Sequence, residues 1–212
     1  MNEQIKEART GRQDRAIRND ERILQAAREV FVADPGAPIA AVAHRAGVGI
    51  SALYRRYASK EQLLQRLNLD GLRQYIAAAE AALAHDGDPG EAFERFMHAV
   101  VDADTHSLTQ RLAGTFEPTE ELNHQAARSH ELVVRLFDRV QTAGAVRSDL
   151  VVDDLSFIFE QLAAVRLGDP ERTAALRRRY LAIQLDGLRA RPGTDLPGPP
   201  PGWGEIAARW EP

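Results

Sequence analysis

The sequence predicts an all-α protein: an N-terminal three-helix head carrying a helix-turn-helix, joined to a C-terminal helical bundle. Three observations predict it. Apolar residues recur at spacings of three and four along almost the whole chain, and no segment alternates as a half-buried strand would. Helix breakers punctuate that pattern at Asp34-Pro35-Gly36, at Gly47, at Gly87-Asp88-Pro89 and at Gly144, where helices stop and start. A short run, Ala46-Gly47-Val48-Gly49-Ile50-Ser51-Ala52-Leu53-Tyr54-Arg55-Arg56, sets one short apolar stripe before a glycine turn and another after it.

The elements follow in order. Ile23, Ala26, Ala27, Val30 and Phe31 make the first stripe. Ile39, Val42, Ala43 and Ala46 make a second, short one that ends at Gly47. Ile50 to Arg56 forms a third helix with Leu53 inward. Ser59 is a good N-cap for a fourth, reaching about Ala84, because its hydroxyl can accept an otherwise orphaned helix N–H. Pro89 suits the first turn of a helix to about Ala103. A shorter helix is expected around Leu108 to Thr115. Thr119 caps the next, and Glu120 and Glu121 favour the positive end of its dipole. Asp153 caps a segment through Val165, and Leu167-Gly168-Asp169-Pro170 opens a last helix to about Arg191. The Pro/Gly-rich tail should be extended or partly ordered, with Trp203 and Trp210 hinting that part of it packs. The expected divisions are a flexible basic arm (1–17), the head (18–66), the body (67–191) and the tail (192–212).

Composition removes several classes of function. The chain has 212 residues and no cysteine, which excludes disulfides, thiolate metal sites and Cys nucleophiles. The N-terminal residues lack the apolar core of a signal peptide, and no apolar run is long enough to cross a membrane. A cytoplasmic location with no membrane partner is expected. The net charge of −4 divides unevenly: +4 from Met1 to Arg66 and −8 beyond. A basic front on an acidic body fits a chain that meets a polyanion at its front only. Arg9, Arg12, Arg15 and Arg18 could lie along a minor groove. The interspersed Glu7 and Asp14 favour a solvated tail instead.

Gly47-Val48-Gly49-Ile50-Ser51-Ala52 also fits G-x-G-x-x-[GA], the loop that cradles a dinucleotide pyrophosphate. That loop needs a buried strand leading into its first glycine. The residues before Gly47 are an Ala-rich run of helical spacing, so the nucleotide reading lacks its context. The helix-turn-helix reading uses every residue. Gly47 can adopt the positive φ of a left-handed turn. Ile50, Ser51 and Ala52 are small enough at the start of the second helix to enter a major groove closely. Arg45, Tyr54, Arg55, Arg56 and Lys60 are long enough to reach flanking phosphates, and the helix start at Lys60 adds N–H groups for another.

The stretch from about Arg18 to Leu67 resembles the N-terminal domain of tetracycline-repressor-type (TetR-family) regulators, most specifically in Ala46-Gly47-Val48-Gly49-Ile50-Ser51, Leu53-Tyr54-Arg55, Tyr57 and Ser59-Lys60-Glu61. The resemblance implies a homodimer with a DNA-binding head and an effector-binding, dimerising body. By position, Ser51, Ala52, Tyr54, Arg55 and Lys60 match the family's DNA-contacting sites. Two residues depart from its pattern. Pro38 replaces the hydroxyl residue that often caps the first helix of the motif. Arg56 stands where a His or similar residue is common, and is read as a stronger backbone contact. The implied partners are double-stranded DNA bearing an inverted-repeat operator, and a small-molecule effector that releases the repressor. In the body, Phe93, Phe96, Met97, Phe116, Leu136 and Phe137 are candidate pocket liners, with His98, Asn123 and His130 as candidate anchors. Leu155, Ile158, Phe159 and Leu162, with Leu176, Tyr180 and Ile183, are the candidate face for a four-helix contact with the partner chain. The alternative is that both faces are buried within one chain.

No other chemistry is framed. His85, His98, His106, His124 and His130 form no H-x-x-x-H pair, and Glu120 with His124 alone cannot close a metal site. Ser51 lacks the second glycine of a nucleophile elbow. Neither a catalytic activity nor a cofactor is expected. The rival reading is a helical small-molecule-binding protein whose head does not read DNA.

Overall fold

The computed structural model describes residues 2–112, 114–189 and 195–208, with side chains described from Arg18 onward except at 109–111. Among these residues there is no strand, only an isolated antiparallel bridge between Val146 and Arg189. The order is α1 (Asn2–Ala33), α2 (Ile39–Ala46), α3 (Ile50–Arg56), α4 (Lys60–Leu83), α5 (Pro89–Ala103), α6 (Thr105–Leu112), α7 (Glu120–Thr142), α8 (Asp154–Ala164), α9 (Pro170–Leu188) and α10 (Trp203–Ala207). The chain divides into two compact units, Met1–Leu67 and Asn68–Pro212, and α4 contributes residues to both.

In the first unit four helices supply the core, which includes Ile23, Ala27 and Phe31 from α1, Val42 and Ala46 from α2, Leu53 from α3, and Leu63 and Leu67 from α4. Helix α1 begins at Asn2, so backbone expected as a flexible arm is helical. Its residues explain this: Glu, Gln, Lys, Ala and Arg are good helix formers, and only Gly11 opposes them. The side chains of Arg9, Arg12 and Arg15 lie outside the described residues.

The second unit has one continuous core. It gathers Ile76 and Ala79 from α4, Phe93, Phe96 and Met97 from α5, Leu132, Leu136 and Phe137 from α7, Leu155, Phe159 and Leu162 from α8, and Leu181 and Leu185 from α9. Its aromatic centre packs edge to face, with ring centroids 5.4 Å apart for Tyr75–Phe96 and 6.1 Å for Phe96–Phe159, the geometry that ring quadrupoles favour. Helix starts are capped as their residues predict: Thr119 Oγ1 accepts from Leu122 N at 3.2 Å, and Asp169 Oδ1 accepts from Arg172 N at 2.8 Å. Asp153 makes no side-chain cap; instead Asp154 Oδ2 accepts from Val151 N at 2.9 Å. Helix α6 starts three residues before the expected Leu108, directly after Asp104.

The tail is tied to the second unit at two points. Leu196 N donates to Asp149 Oδ2 at 2.8 Å. Trp203 stacks on His130 with centroids 4.1 Å apart. Trp210 lies outside the described residues.

Candidate nucleic-acid interface

Gly47 and Gly49 sit where two short helices, α2 and α3, meet. Gly47 has φ 64° and ψ 36° and ends α2 in the left-handed region, which glycine adopts without the Cβ clash of other residues. Its N–H donates to His44 O, and Val48 N donates to Ala43 O at 3.0 Å, so the last carbonyls of α2 are satisfied. Gly49 is extended, with φ −67°, and its carbonyl starts α3 by accepting from Ala52 N and Leu53 N. The segment before Gly47 is helix α2, not a strand, so the context for a pyrophosphate loop is absent.

Leu53 is the one buried side chain of helix α3. It is fully buried, while Ile50 and Tyr54 are 39% and 49% exposed. Ser51, Arg55 and Arg56 are exposed, and Ala52 is half-buried. Small residues lead the helix, and the longer Tyr54 and Arg55 follow, exposed.

Helix α1 grips this motif at several points. Arg22 Nη2 donates to Ala46 O at 2.7 Å. Glu29 pairs with Arg45. Asp20 receives Arg56 Nε at 2.9 Å, Arg56 Nη2 at 3.0 Å and the Tyr57 hydroxyl at 2.6 Å. The Arg56 fork holds the Asp20 carboxyl below its ordinary range, with burial opposing and the Tyr57 bond assisting. Burial and the bond to Asp20 push the Tyr57 phenol up. Lys60 Nζ donates to Pro35 O at 2.9 Å and lies 5.1 Å from the centre of the Phe31 ring.

These contacts divide the expected DNA-contacting set. Ile50, Ser51, Tyr54 and Arg55 point outward, and Arg55 has no ion pair or side-chain hydrogen bond among the described residues. Arg45, Arg56 and Lys60 are each engaged by their own chain. Arg56 in particular is not a free phosphate contact, because Asp20 occupies its guanidinium fork. Asp20, Arg22 and Glu29 were not legible as partners. Asp20 and Arg56 stand 36 residues apart, and a pairing at that distance leaves no trace in a helical period.

Among the described residues, the expected effector residues take different positions in the second unit. Phe93, Phe96, Met97 and Phe137 are buried in the core of the second unit. His98 and Phe116 are half-buried, Asn123 is exposed, and His130 lies under Trp203. A cleft of about 300 Å³ takes only Phe93 from that set, together with Asp88, Glu91, Glu94, Val146, Leu185 and Arg189. The expected partner-facing residues also divide. Leu155, Phe159, Leu162 and Leu176 are spent on the chain's own interior, whereas Tyr180 and Ile183 are 44% and 58% exposed and Ile158 is half-buried. Phe157, 39% exposed, joins them. The period predicted one apolar face per helix. Helix α8 is apolar on two, because Phe157 is exposed while Ile158 packs against the core with Leu155, Phe159 and Leu162.

Comparison with known proteins supplies the family. Residues 23–67 match the family described as bacterial regulatory proteins, tetR family, and residues 88–190 match the C-terminal domain of SbtR-like transcriptional regulators. The chain belongs to the TetR family. TetR-family regulators are ligand-responsive DNA-binding repressors, and they form dimers. Among solved structures, a TetR regulator from Mycobacterium vanbaalenii is 28% identical, with TM-score 0.57, over 84% of this chain and 98% of that one. PfmR from Thermus thermophilus is 25% identical, with TM-score 0.58, over 79% and 96%. LfrR from Mycobacterium smegmatis, solved with proflavine, shares the fold at 22% identity and TM-score 0.58, over 78% and 95%. No curated protein matches the chain. Among the described residues, no helix is long and apolar enough to cross a membrane, and no cluster of three or more His, Asp or Glu could hold a metal ion.

Proposed function

We propose that this regulator is a repressor that reads an inverted-repeat operator with α3, two copies of the chain supplying two recognition helices. One observation carries the reading: Ile50, Ser51, Tyr54 and Arg55 are presented outward on a helix whose one buried residue is Leu53. Ile50, Ser51 and Ala52 then meet base edges, while Tyr54 and Arg55 reach flanking phosphates. Two-fold symmetry sets the half-sites about one helical turn, or a multiple of it, apart. Phe157, Tyr180 and Ile183 form the pairing face, supported by their exposure on neighbouring helices α8 and α9.

The second unit is the effector-binding body. Phe93, Phe96, Met97 and Phe137 are close-packed, so a ligand entering among them has to part that core. Its effect on DNA affinity is bounded by its preference between the two states, typically about 1–3 kcal/mol. Helix α4, common to both units, is the proposed lever. The LfrR structure, which holds proflavine, supports a small molecule as ligand without naming this one.

The test is selection of duplexes from a random pool by the full-length chain. An enriched inverted repeat bound by two chains is expected. Arg55→Ala should weaken all sequences alike and reduce the salt slope by about 0.9, one phosphate contact. Enrichment of a single half-site by one chain, or of nothing, would overturn the proposal.

A further inference from the structure

The first unit is the basic part of the chain, yet it holds a carboxylate against the end of its most exposed short helix. The Asp20 side chain is 11% exposed, and that of its partner Arg56 is 59% exposed. Both Asp20 oxygens are engaged by the guanidinium fork, at 2.9 and 3.0 Å, and the Tyr57 hydroxyl adds a third donor at 2.6 Å. Three donors from two successive residues converge on one acceptor. The last residue of α3 and the residue that caps it are thereby fixed to α1. A two-pronged Arg–carboxylate contact is directional as well as attractive, so it sets the rotation of α3 and not merely its proximity.

The electrostatic consequence follows. An arginine free at the end of a groove-entering helix attaches to any nearby phosphate, and such contacts strengthen binding to every sequence alike. Arg55 is free in that sense among the described residues, and Arg56, its neighbour, is not. Two adjacent arginines of the same chemistry are thus given different roles by one acid on another helix.

We infer that Asp20 is a specificity-determining positioning residue: by holding Arg56, together with Tyr57, it sets the pitch of α3 and keeps a second arginine off the phosphates. This rests on α3 being the DNA-reading helix. Discrimination then falls to Ile50, Ser51 and Ala52, the residues that meet base edges. Removing the Asp20 charge releases Arg56 and loosens α3, so indiscriminate binding rises while recognition of the preferred sequence weakens.

The experiment uses the full-length chain and two duplexes of equal length, one enriched by the wild type from a random pool and one unselected. Affinity is measured between about 50 and 200 mM salt. For Asp20→Asn, affinity for the unselected duplex is expected to rise about three- to tenfold. Its salt slope should steepen by about 0.9, one additional phosphate, and the selected-to-unselected ratio should fall about tenfold, the size of one lost base-pair preference. Asp20→Asn/Arg56→Gln should return the slope to the wild-type value, which a general loosening of the head would not do. An unchanged slope and ratio in Asp20→Asn would overturn the inference. If that variant does not fold, Arg56→Gln alone decides: an unchanged slope supports the inference, and a fall of about 0.9 places Arg56 on a phosphate already and overturns it. A wild type that enriches no duplex sinks the DNA role of α3 and the inference with it, a failure distinct from the other two.

Discussion

Arg177 of α9 places Nη1 2.6 Å from Asp104 Oδ1, at the one-residue joint between α5 and α6. The same guanidinium donates to Ala163 O at 2.9 Å, Val165 O at 3.2 Å and Ser107 Oγ at 3.2 Å. It therefore satisfies the last carbonyls of α8 while holding the joint. Asp104 has φ 50° and is the one non-glycine residue with positive φ among the described residues. Such a conformation costs on the order of 1 kcal/mol and persists where its surroundings enforce it. Arg177→Leu leaves the carbonyls at the end of α8 without their partner and the Asp104 carboxylate with the Ser107 hydroxyl alone. A loss of about 3–5 kcal/mol in urea unfolding is expected. Asp104→Gly removes the strain but leaves the buried Arg177 charge without its counter-ion, and a loss of similar size is expected. An Arg177→Leu loss under about 1 kcal/mol would show that the joint holds itself.

The two glycines of the motif should respond differently to substitution. Gly47 has φ +64°, and a Cβ there would meet Arg22 Nη2 at 3.1 Å. Gly49 has φ −67°, and a Cβ there would meet nothing within 4 Å. Gly47→Val forces a β-branched residue into the left-handed region and displaces the side chain that caps Ala46 O. Destabilisation by about 1–3 kcal/mol is expected, read as a lower melting temperature and weaker DNA binding. Gly49→Ala should melt as the wild type does. A nucleotide loop would instead need both glycines for close approach to a phosphate, so equal sensitivity would contradict the turn assigned here.

Local signals made most of this legible, and pairings across the chain were what remained hidden. Gly47, Ser59, Pro89, Thr119 and Asp169 act within one turn of themselves, so their roles can be read from neighbouring residues. Ser59 Oγ indeed accepts from Gln62 N at 3.1 Å. Arg56 and the α8 face depend on partners far along the sequence. A charge on an exposed helix looks like a phosphate contact until an acid such as Asp20 is found beside it. A segment with Leu155, Ile158, Phe159 and Leu162 looks like one apolar stripe, but its periodicity does not say whether that stripe meets its own chain or another. The effector residues are the least legible, because an aromatic that walls a pocket and one that fills a core obey the same spacing.

Helices α8 and α9 offer a sharper test of pairing than their sequence alone allows. Ile183 is 58% exposed, whereas Leu155 is 2% exposed. Ile183→Glu places a charge where two copies are proposed to meet, and it should shift the chain to a monomer in sedimentation with little change in melting at low concentration. Leu155→Ala opens a cavity in the second unit and should cost about 2–5 kcal/mol. An Ile183→Glu chain that remains a dimer would place the partner on another face.

Acid should destabilise the second unit before its paired carboxylates are protonated. His106 is packed against Phe159 and Tyr75, with ring centroids 4.7 and 5.6 Å away. Burial lowers its pKa to about 4 against the ordinary 6.5, although the Asp104 charge opposes the shift. Arg177 lines the same small cleft. Between those two values the unfolded chain binds the proton that the folded chain refuses, so stability rises with pH through that window and falls on acidification. The loss approaches an order of 3 kcal/mol by pH 4. Asp20, held below its ordinary range by the Arg56 fork, and Asp149, held down by Arg147, lose their contributions at lower pH still. Unfolding free energy measured at pH 7 and pH 4.5 should differ by about 2–3 kcal/mol less in His106→Leu than in the wild type. Equal differences in the two chains would mean that the ring takes up its proton at the same pH folded and unfolded.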